Sequence, residues 1–410
     1  MAEAPTSPHP GAPDKVERKH WKHLYAEIVA TEICCGCSAC VVACPHHVIE
    51  MENFDPVMKN LTLGSYNCEH GEKNCSLCAM ACLRLDADFD AIEATLFGRR
   101  RKHPSEPWGI EKMKMLGRAT DPEILARGQD GGVVSAIVGW MLDNGEIDGA
   151  TCAKPREDLP WLDEPYVATN REELKRAAGS RYTYCSSPLA LKLAAEKKLK
   201  KVATIGVSCE STAIREMATE GIKRWSRMVK FVAGLMCNET FQYEPFIKEI
   251  VQGRYGIDID DVTKINVKGD VWVSLKDGTD IQIPLKECQV YANHWCHHCP
   301  DFAAEHADIS FGGIGLKGWT MCLIRTEYGL DVWNRAVEAG VIEVKPAEED
   351  PQGLKVLERL AKKQRFRVGP FEPNAAGRWP VKEVLERVRR EYLEAAKNPQ
   401  PAEGEAPAPS

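Results

Sequence analysis

The alternation of apolar and polar positions divides the chain into stretches of different character. From Met113 onward, helix-like and strand-like segments succeed one another, the pattern of an α/β fold built on a mixed sheet. Val133–Asp143 repeats its apolar side chains at helical spacing and is followed by a predicted strand near Ile147–Cys152. Val202–Val207 and Val229–Met236 are nearly unbroken apolar runs, as in strands covered on both faces. "VWVSLKDGTDIQIPL" predicts a hairpin turning at Asp277-Gly278. "YGLDVWNRAVEAGVIEV" reads as a helix then a strand, and two amphipathic helices are expected in "PQGLKVLERLAKKQRF" and "WPVKEVLERVRREYLEAAKN". Ahead of all this, "VVAC" and "HVIEM" supply only a short helix and a short strand. The expected organisation is an unstructured lead-in (1–26), a small α+β unit (27–90), a linker (91–112), the α/β domain (113–345), C-terminal helices that cap it (346–397) and an unstructured tail (398–410).

Composition narrows the chemistry mainly by exclusion. With 410 residues, 44% of them hydrophobic, and a net charge of −7, the bulk chain offers nucleic acid no basic surface. The one basic run, "GRRRKH", reads as solvated surface. No apolar stretch nears the roughly 18 residues that cross a bilayer, so any membrane contact is expected through a partner. The N-terminus lacks the apolar core of a signal peptide.

Seventeen cysteines change the picture, because they cluster in tight runs rather than spreading as disulfide staples. Metal or cluster ligation in the reducing cytoplasm is the expected use. "CCGCSACVVACP" holds Cys34, Cys37, Cys40 and Cys44 followed by proline, the spacing of a bacterial ferredoxin run. Three of those thiolates wrap one cube and the fourth reaches a second. "CEHGEKNCSLCAMAC" supplies Cys68, Cys75, Cys78 and Cys82, with a polar insertion, "EHGEKN", expected to loop out. Cross-ligation assigns Cys34, Cys37, Cys40 and Cys82 to one [4Fe-4S] cluster and Cys44, Cys68, Cys75 and Cys78 to another, a two-cluster ferredoxin-like unit. Cys35 is surplus to that pattern and is expected to pack as a small apolar residue.

In the α/β domain, "QDGG" and "GSRYTYCSSP" are loops ahead of helices, where backbone N–H groups can meet an anion; neither has the dinucleotide GxGxxG spacing. The two buried strands run into Cys209 and Cys237, and the active crevice of such sheets lies at the carboxyl ends of strands. With "HWCHHCP" contributing Cys296 and Cys299, four thiolates become available for a third [4Fe-4S] cluster. A zinc site drawing on His294, His297 or His298 is the alternative, and Cys288 is the substitute should one thiolate be misassigned. Cys152, Cys185 and Cys322 are expected to pack.

Taken together, "GQDGGVVSAI", "AAGSRY", "IGVSCESTAIREM", "GLMC", "WCHHCPDFAAEHADISFGGIG" and "LIRTEYG" resemble the beta subunits of coenzyme F420 hydrogenases and dehydrogenases over roughly residues 117–345. The N-terminal cysteine runs resemble ferredoxin modules often fused to that domain. The resemblance implies an FAD site containing Gln129, Asp130, Gly131 and Gly132 together with Gly179, Ser180, Arg181 and Tyr182, a nearby cluster, and hydride exchange with coenzyme F420 as substrate. Ser208 and Glu210 depart from the proline and glutamine usual around the first strand-end cysteine. The implied activity is an oxidoreductase that trades a hydride for single electrons and relays them to a redox partner subunit or a ferredoxin. A stand-alone reductase with its own substrate is the alternative, and a zinc-binding interaction scaffold a more distant one.

Overall fold

The computed structural model describes residues 18–59, 67–85, 87–102 and 105–365. The second predicted C-terminal helix, the tail and residues 1–17 of the lead-in lie outside the described residues. Residues 18–26 do not fit the expected lead-in, because Trp21–Leu24 is helical and both its end residues are fully buried.

The cysteine-rich unit contains a helix at Ala39–Ala43 and an antiparallel pair, β1 (Ile49–Glu52) and β2 (Asp55–Met58). The turn between them places Asn53 and Phe54 at positive φ, 51° and 70°, as a type I′ hairpin requires. A phenylalanine there is strained, and its ring packs edge-on against Tyr184 and Trp295 of the larger domain. The expected loop-out at "EHGEKN" is instead partly a short helix, Glu69–Glu72, whose Gly71 is buried against His20.

The linker reading also changes. Phe89–Phe97 is a helix, and Arg101 of the basic run is buried. Its guanidinium lies between Glu93 and Glu305, with Glu305 Oε2 at 2.5 Å. A cation is taken out of water only when paired, and here two carboxylates from different parts of the chain supply the pairing.

The larger domain is an eight-stranded sheet. In chain order its strands are β3 (Met113–Ala119), β4 (Gly149–Pro155), β5 (Asp163–Ala168), β6 (Val202–Val207) and β7 (Val229–Leu235). A separate three-stranded antiparallel sheet follows, β8 (Val262–Lys268), β9 (Asp270–Leu275) and β10 (Asp280–Ile283), before β11 (Ile309–Gly312), β12 (Thr320–Ile324) and β13 (Ile342–Pro346) complete the large one. The spatial order is β13-β3-β12-β11-β7-β6-β4-β5. Its centre, β11-β7-β6-β4, is parallel, and antiparallel strands extend it on both sides, so the predicted mixed sheet is present. The hairpin at Asp277-Gly278 joins β9 to β10, and the helices Val133–Asp143 and Glu327–Glu338 stand where the periodicity puts them.

Side-chain alternation along the central strands divides the core between two faces. Phe231 and Ala233 face one layer with Ala136, Ile137 and Trp333, from the helices Val133–Asp143 and Glu327–Glu338. Val202 and Val232 face the opposite layer, where the helix Ser208–Thr219 packs together with Val41, Val42 and Trp21 of the cysteine-rich unit. That unit therefore covers part of the sheet and shares its core. The helix Pro351–Arg365 covers the other end of that face, packing Leu357 and Ala361 with Leu116 and Leu323.

Candidate functional site

Strands β6 and β7 pair parallel with Val207 opposite Leu235. Each continues two residues to a cysteine, so Cys209 and Cys237 leave the sheet side by side at its carboxyl rim. Close strand-to-loop packing is what the register demands: a Cβ on Gly234 would sit 2.6 Å from those of Ala304 and Ala307. Of the remaining two thiols, Cys296 lies in the short turn His294–His298 and Cys299 directly follows it; the turn is anchored by Asn293 Nδ2, which donates to Thr240 Oγ1 at 2.9 Å. Cys209, Cys237, Cys296 and Cys299 line one cavity, together with Cys35, Arg84, Tyr184, Thr240, Trp295 and Gln364. Burial, then the neighbouring Cys296 and Cys299, push the Cys237 thiol well above its ordinary value. Burial likewise pushes Cys296 up to about 11. A coordinating cation reverses such shifts, because a metal-bound thiol is deprotonated outright.

The cysteine-rich unit shows two further groupings. Around Cys78 stand Cys44, Cys75 and Cys68, and burial pushes the Cys78 thiol up to about 12. Cys34 and Cys82 neighbour Cys40, and Cys37 lies beside Cys35 and Cys40. Cys288 belongs to neither of these nor to the inner four; it is fully buried in the core of the small sheet with Val271 and Phe246. Cys152 and Cys322 are buried in the layer of the large sheet.

No three Cys, His, Asp or Glu side chains among the described residues converge on a single ion. A tetrahedral zinc needs all its ligands within about 2.3 Å of one point, whereas a four-iron cube takes each thiolate on a different iron. Thiols spaced around a cavity suit the second. Burial and the adjacent Arg84 also pull His298 down to about 4, with its ring half-buried.

The two loops expected at a flavin meet each other. The Ser180 N–H donates to Gln129 Oε1 (3.3 Å), and Gln129 Nε2 donates to the Ile265 carbonyl on β8 (3.1 Å). Tyr182 Oη accepts from the Val267 N–H at 3.1 Å. Gly131 passes so close to the sheet that a Cβ would lie 2.4 Å from Gly117 O, and Gly132 caps the helix Val133–Asp143 at φ 67°. The Asp130 side chain is only 5% exposed, with Lys268 Nζ on Oδ1 at 2.7 Å and Oδ2 without a hydrogen-bond partner. Lys264, which donates to the Gln129 carbonyl at 2.5 Å, also feels the Asp130 charge; burial first, then Lys268 and Lys317, lower its pKa. Positive charge exceeds negative there, which suits an anionic group. Arg181 is occupied elsewhere, pairing with Asp163 at 2.5 Å and donating to the Ala177 and Ala178 carbonyls.

Sequence reasoning missed Arg84, Lys264, Lys268 and Lys317 and assigned Cys35 only to packing. Lys264 and Lys268 stand four apart on one strand and hence share a face. Arg84 sits between the buried Leu83 and Leu85, a position where a charge needs a reason.

Two family profiles match, both describing the beta subunit of coenzyme F420 hydrogenase/dehydrogenase: its N-terminal part over residues 115–192 and its C-terminal part over residues 199–350. The coenzyme F420 hydrogenase beta subunit of Methanothermobacter thermautotrophicus is 35% identical over 66% of this chain and 96% of its own. An F(420)H(2) dehydrogenase subunit from Methanosarcina mazei is 29% identical over 83% of this chain and 91% of its own. That share is too large to fit between residue 115 and the chain's end, so the likeness reaches into the cysteine-rich unit. Among solved structures, a chain of the F420-reducing [NiFe] hydrogenase complex from Methanosarcina barkeri superposes with a TM-score of 0.62 at 34% identity, covering 70% of this chain and 95% of that one.

Proposed function

The chain belongs to the family of coenzyme F420 hydrogenase/dehydrogenase beta subunits and is an F420-dependent oxidoreductase, and we propose that it passes reducing equivalents between coenzyme F420 and a redox partner by way of FAD and three [4Fe-4S] clusters. Bound FAD supplies exchange of a hydride on one side and of single electrons on the other, and the clusters carry single electrons. Cys209, Cys237, Cys296 and Cys299 would hold the inner cluster. Cys34, Cys37, Cys40 and Cys82 would hold one outer cluster, and Cys44, Cys68, Cys75 and Cys78 the other.

The observation that carries this reading is the cavity at the carboxyl rim of β6 and β7 that Cys209, Cys237, Cys296 and Cys299 line together with Cys35. The lysines around Asp130 would hold the flavin's diphosphate, and the Gln129–Ser180 contact would keep its two loops together. The relatives are named as subunits of hydrogenases and dehydrogenases, which favours a second protein of such an assembly as the other electron carrier. No helix among the described residues is long and apolar enough to cross a membrane.

The test is an anaerobic spectrum of the purified protein during addition of reduced coenzyme F420. Simultaneous loss of flavin absorbance and of the broad cluster band is expected. A flavin and cluster spectrum that ignores the deazaflavin would reassign the donor. A colourless, zinc-containing protein would overturn the proposal.

A further inference from the structure

Arg84 is contributed by the cysteine-rich unit, two residues beyond Cys82, yet its side chain ends in the larger domain. It is among the largest fully enclosed side chains, at 2% exposure. Nη1 donates to the His298 carbonyl and Nη2 to the Trp295 carbonyl at 3.4 Å. Each of those two carbonyls belongs to the residue immediately before one of the cysteines, Cys296 and Cys299. Among the groups whose charge it meets are the thiols of Cys35, Cys299 and Cys209.

We propose that Arg84 is a positioning residue for the inner cluster: it fixes the Cys296–Cys299 turn and holds a permanent positive charge against the cluster's ligands, raising the potential at which the cluster accepts an electron. The proposal rests on the cluster assignment made above. A cube held by four thiolates is a net anion and becomes more negative by one unit when reduced, with no bond made and no proton taken up. The electron gained is the one that the flavin or an outer cluster loses. Cluster potentials follow net charge, hydrogen bonding and solvent exposure. A buried cation that cannot lose its proton acts on the first of these, and its anchoring of the turn acts on the second.

The same contact joins the two units. Cys35 stands beside both Cys37 and Cys209, so a thiol of the outer set's loop touches the inner set. Ser186 Oγ donates to the Gly36 carbonyl at 2.6 Å, holding that loop in place. Arg84 lies in the same seam, and the inner cluster's potential therefore depends on the cysteine-rich unit being docked.

The experiment is an anaerobic redox titration of the full-length, cluster-loaded protein followed by electron paramagnetic resonance. Wild type must first show about twelve irons and one flavin per chain, as three four-iron cubes require; a shortfall there refutes the cluster assignment rather than the role of Arg84. Arg84→Gln is expected to retain the iron and to lower the inner cluster's reduction equilibrium at least tenfold, about 59 mV for one electron, with smaller shifts at the outer pair. Arg84→Lys keeps the charge and is expected to restore most of the potential, with an altered line shape because one carbonyl contact is lost. If Arg84→Gln loses about four irons while Arg84→Lys keeps all twelve, the role at the inner site also stands. An unmoved inner potential in Arg84→Gln, an equal drop in both variants, or loss of all iron from both overturns it.

Discussion

Replacing Arg101 by methionine tests whether the basic run is structural. Its guanidinium contacts Glu93 and Glu305 with side chains that are 4%, 2% and 2% exposed, and its own N–H donates to Glu93 Oε2 at 2.7 Å. Burial alone would raise the Glu305 pKa, but Arg101 and Arg365 hold that carboxyl well below the usual carboxylate range. Methionine fills similar volume while removing the charge, so Glu93 is left buried with no guanidinium and Glu305 with Arg365 alone. Breaking a buried pair by removing one partner costs about 3–5 kcal/mol. At roughly 2 °C per kcal/mol for a body of this size, the melting temperature should fall by about 6–10 °C. Anaerobic differential scanning calorimetry on the cluster-loaded protein reads it directly. The double variant R101M/E93Q, with one orphaned carboxylate neutralised, should recover part of the loss. A single variant melting within about 1 °C of wild type would refute the reasoning, because it would mean that Glu93 and Glu305 are not held by Arg101.

Three further outcomes are expected. Cys237→Ser should lower the iron content from about twelve to about eight per chain; unchanged iron would remove Cys237 from the inner set. Gly131→Ala should strip flavin from the purified protein, since its Cβ would lie 2.4 Å from Gly117 O and 2.9 Å from Thr320 N, backbone atoms that cannot move aside, and a full flavin complement would contradict that placement. Burial, then Arg101, pulls the His306 pKa down to about 3, below the ordinary value near 6.5. The unfolded chain therefore binds a proton below pH 6.5 that the folded chain refuses, and stability should fall between pH 6.5 and 3 by at most about 1.4 kcal/mol per unit, with no change above. Urea unfolding from pH 7.5 to 5.5 should give a shallower slope for His306→Gln than for wild type.

The sheet was largely legible because its signals are local. Val202–Val207 and the helix Val133–Asp143 declare themselves by periodicity, and both form with those bounds. That Cys209 and Cys237 each end a buried strand was legible; that those strands are neighbours came only with the sheet order. What could not be read were relations between distant segments: that Arg84 ends beside Cys299, that Arg101 is sandwiched by Glu93 and Glu305, and that Cys35 stands beside Cys209. A charged residue looks the same in sequence whether it meets water or a buried partner. The reach of Lys264 and Lys268 toward Asp130 was hidden for a related reason, because β8 belongs to a second sheet whose docking no local pattern encodes.

The parallel pairing of β6 with β7 has a consequence for how the protein is made. Thiols at 34–82 are all translated before β3 exists, while the core their unit shares with the sheet forms only later. The inner four lie at 209–299, and the first two become neighbours only when two crossover-connected strands have registered, a slow, non-local event. The turn carrying the last two is translated later still. On the cluster assignment proposed above, the thiols of the inner set would come together last, after the sheet has closed.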